Sequence, residues 1–369
     1  MKQFIPVYQP NLSGNELKYV TECVTTNWIS SQGKYVRKLE EEFADFCGVK
    51  HGIAVANGTV SLHLALLLAD IGPGDEVIVP TLTFVAPANA VRYTGATPVF
   101  VDSCAKNWSM DPTLIEENIT SRTRAIIPVH LYGHPVDMEP ILRLAEKYDL
   151  YVVEDAAEAH GAEYKGRRVG SLGDIGSFSF YGNKIITTGE GGMLTTDDDQ
   201  LAEKARFLRD HAMSKDKRYW HSMVGYNYRM TNLQAAVGVA QLEYINDIIH
   251  SKIQVAKWYD KNLKHSSAIV RPPQANWAKN VYWLYSILVT DDSPLNRDEL
   301  IMALRERNID ARPFFYPMHQ LPAHQEAKGS YPIADELSRQ GLNLPSYPTL
   351  EYEQVQYICQ TILELTSKQ

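Results

Sequence analysis

Val153-Glu154-Asp155-Ala156-Ala157-Glu158-Ala159-His160-Gly161 decides the fold. An apolar run ends here directly on carboxylates. Near-continuous apolar runs of this length read as strands covered on both faces, and 151–154 is one of them. Others lie at 52–56, 76–79, 98–101, 125–129, 177–181 and 192–195. Amphipathic segments separate them. In 137–148 the apolar residues Met138, Ile141, Leu142, Ala145 and Tyr148 recur at helical spacing. Asp111-Pro112 pairs an N-cap with proline at the first helical position. Thr231-Asn232-Leu233-Gln234 has the form of a capping box, predicting one long helix to about 263. Strands alternating with helices predict an α/β fold with a mostly parallel sheet and helices on both sides. Ligands then belong in the loops beyond the carboxyl ends of the strands.

After Pro272-Pro273 the pattern changes. Residues 282–289 and 310–315 read as strands, and 297–307 and 353–365 as helices, giving a smaller α+β unit. The expected division is a large ligand-binding α/β domain over 1–245, including the N-terminal segment, and a small C-terminal domain over 246–369. At 369 residues the chain is long enough for two such units. Its 36 Lys and Arg against 44 Asp and Glu give a net charge of −8, which argues against a general nucleic-acid binder. With 44% hydrophobic residues, disorder is excluded as a description of the whole chain. The four cysteines, Cys23, Cys47, Cys104 and Cys359, form no C-x-x-C pair, so no metal framework is expected and a reduced, cytoplasmic setting fits. Neither a signal peptide nor a membrane span is expected.

Four features sit at predicted strand ends. Asp155 and Glu158 close the strand quoted above; a carboxylate there suits a cationic nitrogen, or simply a helix N-cap. Ser177-Phe178-Ser179-Phe180-Tyr181-Gly182-Asn183-Lys184 places a lysine just past a buried strand. Desolvation would lower its pKa and free the amine as a nucleophile; the plainer alternative is a lysine that snorkels to water. Asn57-Gly58-Thr59 joins a strand to an apolar helix, the form of an anion cradle or of an ordinary capped turn. Phe84, after the strand at 76–79, could stack on a flat ring or fill the core. A phosphate cradle, a stacking aromatic, a carboxylate for a ring nitrogen and an imine-forming lysine together meet the needs of pyridoxal 5′-phosphate.

Asn57-Gly58-Thr59, Gly74-Asp75-Glu76-Val77-Ile78-Val79-Pro80, Glu154-Asp155-Ala156-Ala157-Glu158, 177–192, Gly225-Tyr226-Asn227-Tyr228-Arg229-Met230-Thr231-Asn232 and Asn343-Leu344-Pro345-Ser346 carry a further signal. Through them the chain resembles the DegT/DnrJ/StrS nucleotide-sugar aminotransferases over essentially its whole length. The resemblance implies the aspartate-aminotransferase fold (fold type I of the pyridoxal phosphate enzymes), with a mixed, mostly parallel central sheet and a homodimer with shared active sites. It implies that Lys184 holds the cofactor covalently and that Asp155 pairs with the ring nitrogen. Glu158 would lie near the phenolic oxygen, and Gly58, Thr59 and Ser179 would bind the phosphate. Phe84 would stack on the ring, and Asn227 would reach the phosphate of the other protomer's site. L-glutamate would be the amino donor, pyridoxamine 5′-phosphate the aminated cofactor and a nucleotide-linked keto sugar the acceptor.

Thr26-Asn27-Trp28-Ile29-Ser30-Ser31, Val129-His130-Leu131-Tyr132-Gly133-His134, Phe180-Tyr181-Gly182-Asn183-Lys184 and Arg218-Tyr219-Trp220-His221 resemble the branch acting on GDP-4-keto-6-deoxy-D-mannose; a UDP- or dTDP-linked 4-keto or 3-keto sugar is one alternative, and a non-catalytic cofactor-bound regulator or sugar-binding protein the other. Arg218, Arg229 and Arg312 are candidate pyrophosphate clamps, or solvated surface charges. Trp28, Tyr316 and His319 are candidate sugar contacts. Two positions depart from many relatives: Glu158 stands where Gln is common, and Phe84 where Tyr or Trp is common.

Overall fold

The computed structural model describes residues 4–324 and 329–367. Seven strands form the central sheet: β1 (His51–Val55), β2 (Glu76–Pro80), β3 (Thr97–Val101), β4 (Thr123–Ile126), β5 (Tyr151–Asp155), β6 (Ile175–Ser179) and β7 (Gly192–Thr196). Their order is β1-β7-β6-β5-β4-β2-β3. β3, β2, β4, β5 and β6 run parallel, while β7 is antiparallel to both its neighbours. The sheet is therefore mixed and mostly parallel, as expected. Helices such as Gly58–Leu68 and Lys34–Cys47 cover it, and the residues between sheet and helices are almost wholly apolar and buried.

A second sheet contains β8 (Ile269–Val270), β9 (Tyr285–Val289), β10 (Arg312–Pro313) and β11 (Gly341–Leu344), in the order β8-β9-β11-β10. Its own apolar cluster includes Tyr259, Tyr285, Leu300, Leu344 and Ile362. Ile5 belongs to this second cluster, because its N–H donates to the Asn308 carbonyl and its carbonyl accepts from the Asp310 N–H. The N-terminal segment thus crosses to the C-terminal sheet. Among the described residues no helix is long and apolar enough to cross a membrane.

Some local expectations change. The predicted helix from 231 to 263 is two helices, Asn232–Glu243 and Ile245–Leu263. Between them Tyr244, at φ −115° and ψ 10°, makes a tight bond from its N–H to the Gln241 carbonyl. The capping box at Thr231 and Gln234 is formed as expected. Asp111-Pro112 opens only two short 3₁₀ turns, Pro112–Leu114 and Glu116–Asn118. The Asp111 carboxylate accepts from the N–H and hydroxyl of Thr113, a local bond that competes with helix continuation. Of 310–315 only Arg312–Pro313 pairs in the sheet, with one further bond from the Phe314 N–H to the Gly341 carbonyl. Of 282–289 only Tyr285–Val289 is strand, since Tyr282 takes a left-handed φ of 49°.

Candidate active site

The carboxyl ends of β1, β2, β5 and β6 surround one cavity of about 710 Å³. Asp155 is the last residue of β5 and is 5% exposed. One of its oxygens accepts the Ala157 N–H at 3.0 Å, so it caps a turn rather than a helix. Burial raises its pKa, opposed by that N–H and by the charge of Lys184. Glu154, one residue earlier, serves the scaffold. It accepts from the N–H groups of Gly170, Leu172 and Gly173 and contacts His130 Nε2 at 3.1 Å. The Val136 N–H donates to His130 Nδ1, which fixes the proton on Nε2 and makes His130 the donor to Glu154.

Lys184 lies past β6 in a turn closed by its N–H to the Tyr181 carbonyl. Its own carbonyl accepts from the hydroxyl of Tyr8, a residue of the N-terminal segment. The side chain is 12% exposed, and Nζ lies 3.6 Å from Glu158 Oε1. Burial lowers the Lys184 pKa, partly offset by Glu158 and Asp155. Burial pushes Glu158 up to about 7, against the opposing pull of Lys184 and of the Tyr132 N–H on its other oxygen. The two groups thus share a weakly solvated space in which burial disfavours the charge on each and their mutual attraction partly restores it.

The anion cradle is built as a capped turn as well. Asn57 Oδ1 accepts from the Val60 N–H at 3.0 Å, starting the helix Gly58–Leu68. Helix geometry leaves the first-turn N–H groups of Gly58 and Thr59 without partners inside the helix. Gly58 packs against β6 so closely that a Cβ there would lie 2.7 Å from Ser179 Cβ. Ser179 and the helix start therefore face one anion position. Two buried oxygens of residues lining the cavity, Thr83 Oγ1 and Asn183 Oδ1, have no hydrogen-bond partner among the described residues.

Gly58, Thr59, Phe84, Asp155, Glu158, Ser179 and Lys184 all line this cavity. Phe84 is half exposed and tilts against Phe315, their ring centres 5.6 Å apart. Sequence reasoning missed Tyr132, Trp283, Phe315 and Tyr8, which reach the site from distant segments. The Tyr132 ring stacks on Trp283 and Phe315.

The other candidates stand outside. Trp28 is exposed and lines a separate cavity with Lys34, Arg37 and Asn232. Arg218 lies over the exposed ring of Tyr219. Arg229 bonds Asp210 and Asn227 Oδ1, so both it and Asn227 are engaged locally. Arg312 pairs with Asp310 at 3.0 Å and Tyr316 is exposed. His319 is held between Thr81 Oγ1 at 2.7 Å and Asp335 at 3.0 Å, and stacks on Tyr331.

Against known proteins, residues 10–363 match the model of the DegT/DnrJ/EryC1/StrS aminotransferase family. The chain belongs to this family. It is 49% identical over 365 residues to GDP-perosamine synthase of Escherichia coli O157:H7, covering 99% of each chain. It is also 49% identical to GDP-perosamine synthase of Caulobacter vibrioides, over 94% of each. The solved structure of DesV from S. venezuelae superposes with a TM-score of 0.93 over 100% of both chains, at 36% identity. The aspartate-aminotransferase fold expected from the sequence is therefore the one observed. The protein is a pyridoxal-phosphate-dependent sugar aminotransferase. The residues present fit that cofactor: an open helix start beside a serine for phosphate, a buried carboxylate with one oxygen engaged, and a desolvated lysine amine in one cavity.

Proposed function

We propose that this aminotransferase moves an amino group from L-glutamate to the C-4 keto group of GDP-4-keto-6-deoxy-D-mannose, giving GDP-perosamine for O-antigen or related polysaccharide in the cytoplasm. The observation that carries this reading is 49% identity to GDP-perosamine synthase across 99% of both chains. The cavity around Lys184 supports it, because it has the groups the reaction needs.

When bound, pyridoxal phosphate supplies the reactive carbonyl and the electron-withdrawing ring. The chain supplies the rest. Asp155 holds the ring nitrogen in its protonated form, with its other oxygen kept busy by Ala157. The N–H groups of Gly58 and Thr59, with the Ser179 hydroxyl, hold phosphate, and Phe84 covers one ring face. Lys184 would hold the cofactor through Nζ, and its amine would be free once the amino donor is bound. Its freed amine then takes the Cα proton of the donor and later gives a proton up. Glu158, with Oε1 3.6 Å from Nζ, would steady the ammonium form of Lys184 by its charge and would lie toward the phenolic oxygen of the bound cofactor. The reverse sequence delivers the amine to the keto sugar, so kinetics are ping-pong.

A homodimer with shared sites completes this reading. Tyr219, Trp220, Met223 and Val224 expose apolar surface on the segment that carries Asn227, in keeping with coverage by a second copy. Asn227 would then reach the other protomer's phosphate. Arg218, Arg229, Arg312, Trp28, Tyr316 and His319 remain the candidate contacts to pyrophosphate and sugar. The domain division near 245 is part of the same reading: most of the second apolar cluster lies beyond 245, although Ile5 joins it and Trp283, Phe314 and Leu337 join the first.

The test is the visible absorbance of the holoenzyme. L-glutamate bleaches the band, and GDP-4-keto-6-deoxy-D-mannose restores it with GDP-perosamine as product. Recovery only with a UDP- or dTDP-linked keto sugar would overturn the substrate assignment.

A further inference from the structure

Trp283 is absent from the sequence-derived site, yet its ring contacts the amine on which the reaction turns. Lys184 Nζ lies 3.9 Å from the centre of the Trp283 ring. Nζ also lies 3.6 Å from Glu158 Oε1. The amine thus contacts both an aromatic face and a carboxylate, each of which favours its protonated form.

Both jaws hang on one loop. The Tyr132 N–H donates to Glu158 Oε2 at 2.8 Å, while the Tyr132 ring stacks on Trp283 with centres 6.2 Å apart and planes 18° from parallel. Gly133 lets the two segments meet: at φ 99° it lies so close that a Cβ would come 2.7 Å from the Trp283 nitrogen. The indole N–H donates to the Asn183 carbonyl at 2.7 Å, locking the ring to the residue beside Lys184. Trp283 is 4% exposed, so water does not weaken the contact. A tryptophan serving only to fill the core would not need its face turned to a lysine amine.

We propose that Trp283 is a catalytic residue: its ring face and Glu158 form the resting place of the Lys184 ammonium whenever that amine is not bonded to the cofactor. There it holds the proton taken from the amino donor within reach for return, instead of losing it to solvent. No covalent bond forms to Trp283, and the proton stays on Nζ between the two transfers. The charged and titratable groups acting on Nζ are Glu158, Asp155 and buried His160; burial pushes His160 down to about 3, so it stays neutral.

This inference rests on Lys184 being the proton-moving amine. The experiment converts holoenzyme with L-glutamate to its aminated form, in which Lys184 is free. The pH dependence of Lys184 acylation by a small reagent is then read by peptide mass spectrometry. In Trp283→Leu the midpoint falls by roughly half to one pH unit, the loss of one desolvated cation–π contact. In parallel, kcat of the glutamate half-reaction falls about tenfold, about 1.4 kcal/mol. KM changes by less than about threefold, and the isotope effect with 2-deuterated glutamate rises. Trp283→Phe keeps a face, gives intermediate values, and carries the test should the leucine variant lose cofactor. An unchanged or raised midpoint in a variant with wild-type cofactor content and melting temperature would overturn the proposal. Failure of the wild-type protein to be aminated by glutamate would instead overturn the function above.

Discussion

The inner cavity and the outer rim of this enzyme are built on different terms. Inside, Asp155, Glu158 and Ser179 are buried, Lys184 is mostly covered, and all are held by β5, β6 and the turns that follow them. Outside, Arg218 and Arg312 are exposed and lean on their own neighbours, Tyr219 and Asp310. The inner groups are positioned before any ligand arrives. On the proposed function, the outer groups would have to leave a local partner to meet a pyrophosphate. The cofactor half would then be preorganised and the sugar-nucleotide half adjustable.

The sharpest attack on this contrast is Lys184→Ala. Loss of the proton-moving amine should reduce single-turnover transfer by about 10³-fold or more, as loss of a positioned acid–base group does; residual turnover near wild type would break the assignment. Asp155→Ala comes next. Removing a buried charged partner costs about 1.5–3 kcal/mol, so equilibrium dialysis should show cofactor retention weakened roughly ten- to a hundredfold. Gly58→Val acts by crowding, because the first added carbon already lies 2.7 Å from Ser179 Cβ. Such overpacking costs about 1–3 kcal/mol and should lower both the melting temperature and cofactor retention.

The pH dependence of Glu158 is a subtler probe. Burial raises its pKa to about 7 in the folded chain, from an ordinary value of 4.5. The fold therefore favours the neutral acid. Its contribution is whole below about pH 4.5 and is lost as pH rises through about 7. In cofactor-free protein, melting temperatures of wild type and Glu158→Gln measured from pH 5 to 8 should move apart in favour of glutamine as pH rises. A gap independent of pH would deny the burial argument. Arg312→Ala should do least to the resting protein. An exposed ion pair contributes about 1 kcal/mol or less, so melting temperature and cofactor content should hold, and any effect should appear in KM for the nucleotide sugar.

The same contrast explains what was legible in the sequence. Glu154, Asp155 and Glu158 are near neighbours, as are Ser179 and Lys184, because a parallel sheet gathers short strand-end motifs at one edge. Spacing alone exposes such groups. Trp283, Phe315 and Tyr8 come from segments that meet Lys184 only through tertiary packing, and no local pattern announces them. Tyr132 and Tyr282 adopt left-handed backbone, at φ 53° and 49°, which side-chain periodicity does not report. The long predicted helix broke at Tyr244 for the same reason: the break is set by a backbone bond, while the apolar spacing continues on both sides of it.

Glu154 and Asp155 are adjacent acids on one strand, and successive strand residues face opposite sides of a sheet. One therefore braces the 170–173 loop while the other serves the cavity. Their tasks are assigned by odd or even position along β5, since their chemistry is nearly the same. A single-residue insertion upstream in β5 would keep both acids and turn each to the opposite face. Composition would be almost untouched, yet the cavity position would receive the glutamate and the loop-bracing position Val153. The strand's length is therefore as much a part of the site as its carboxylates.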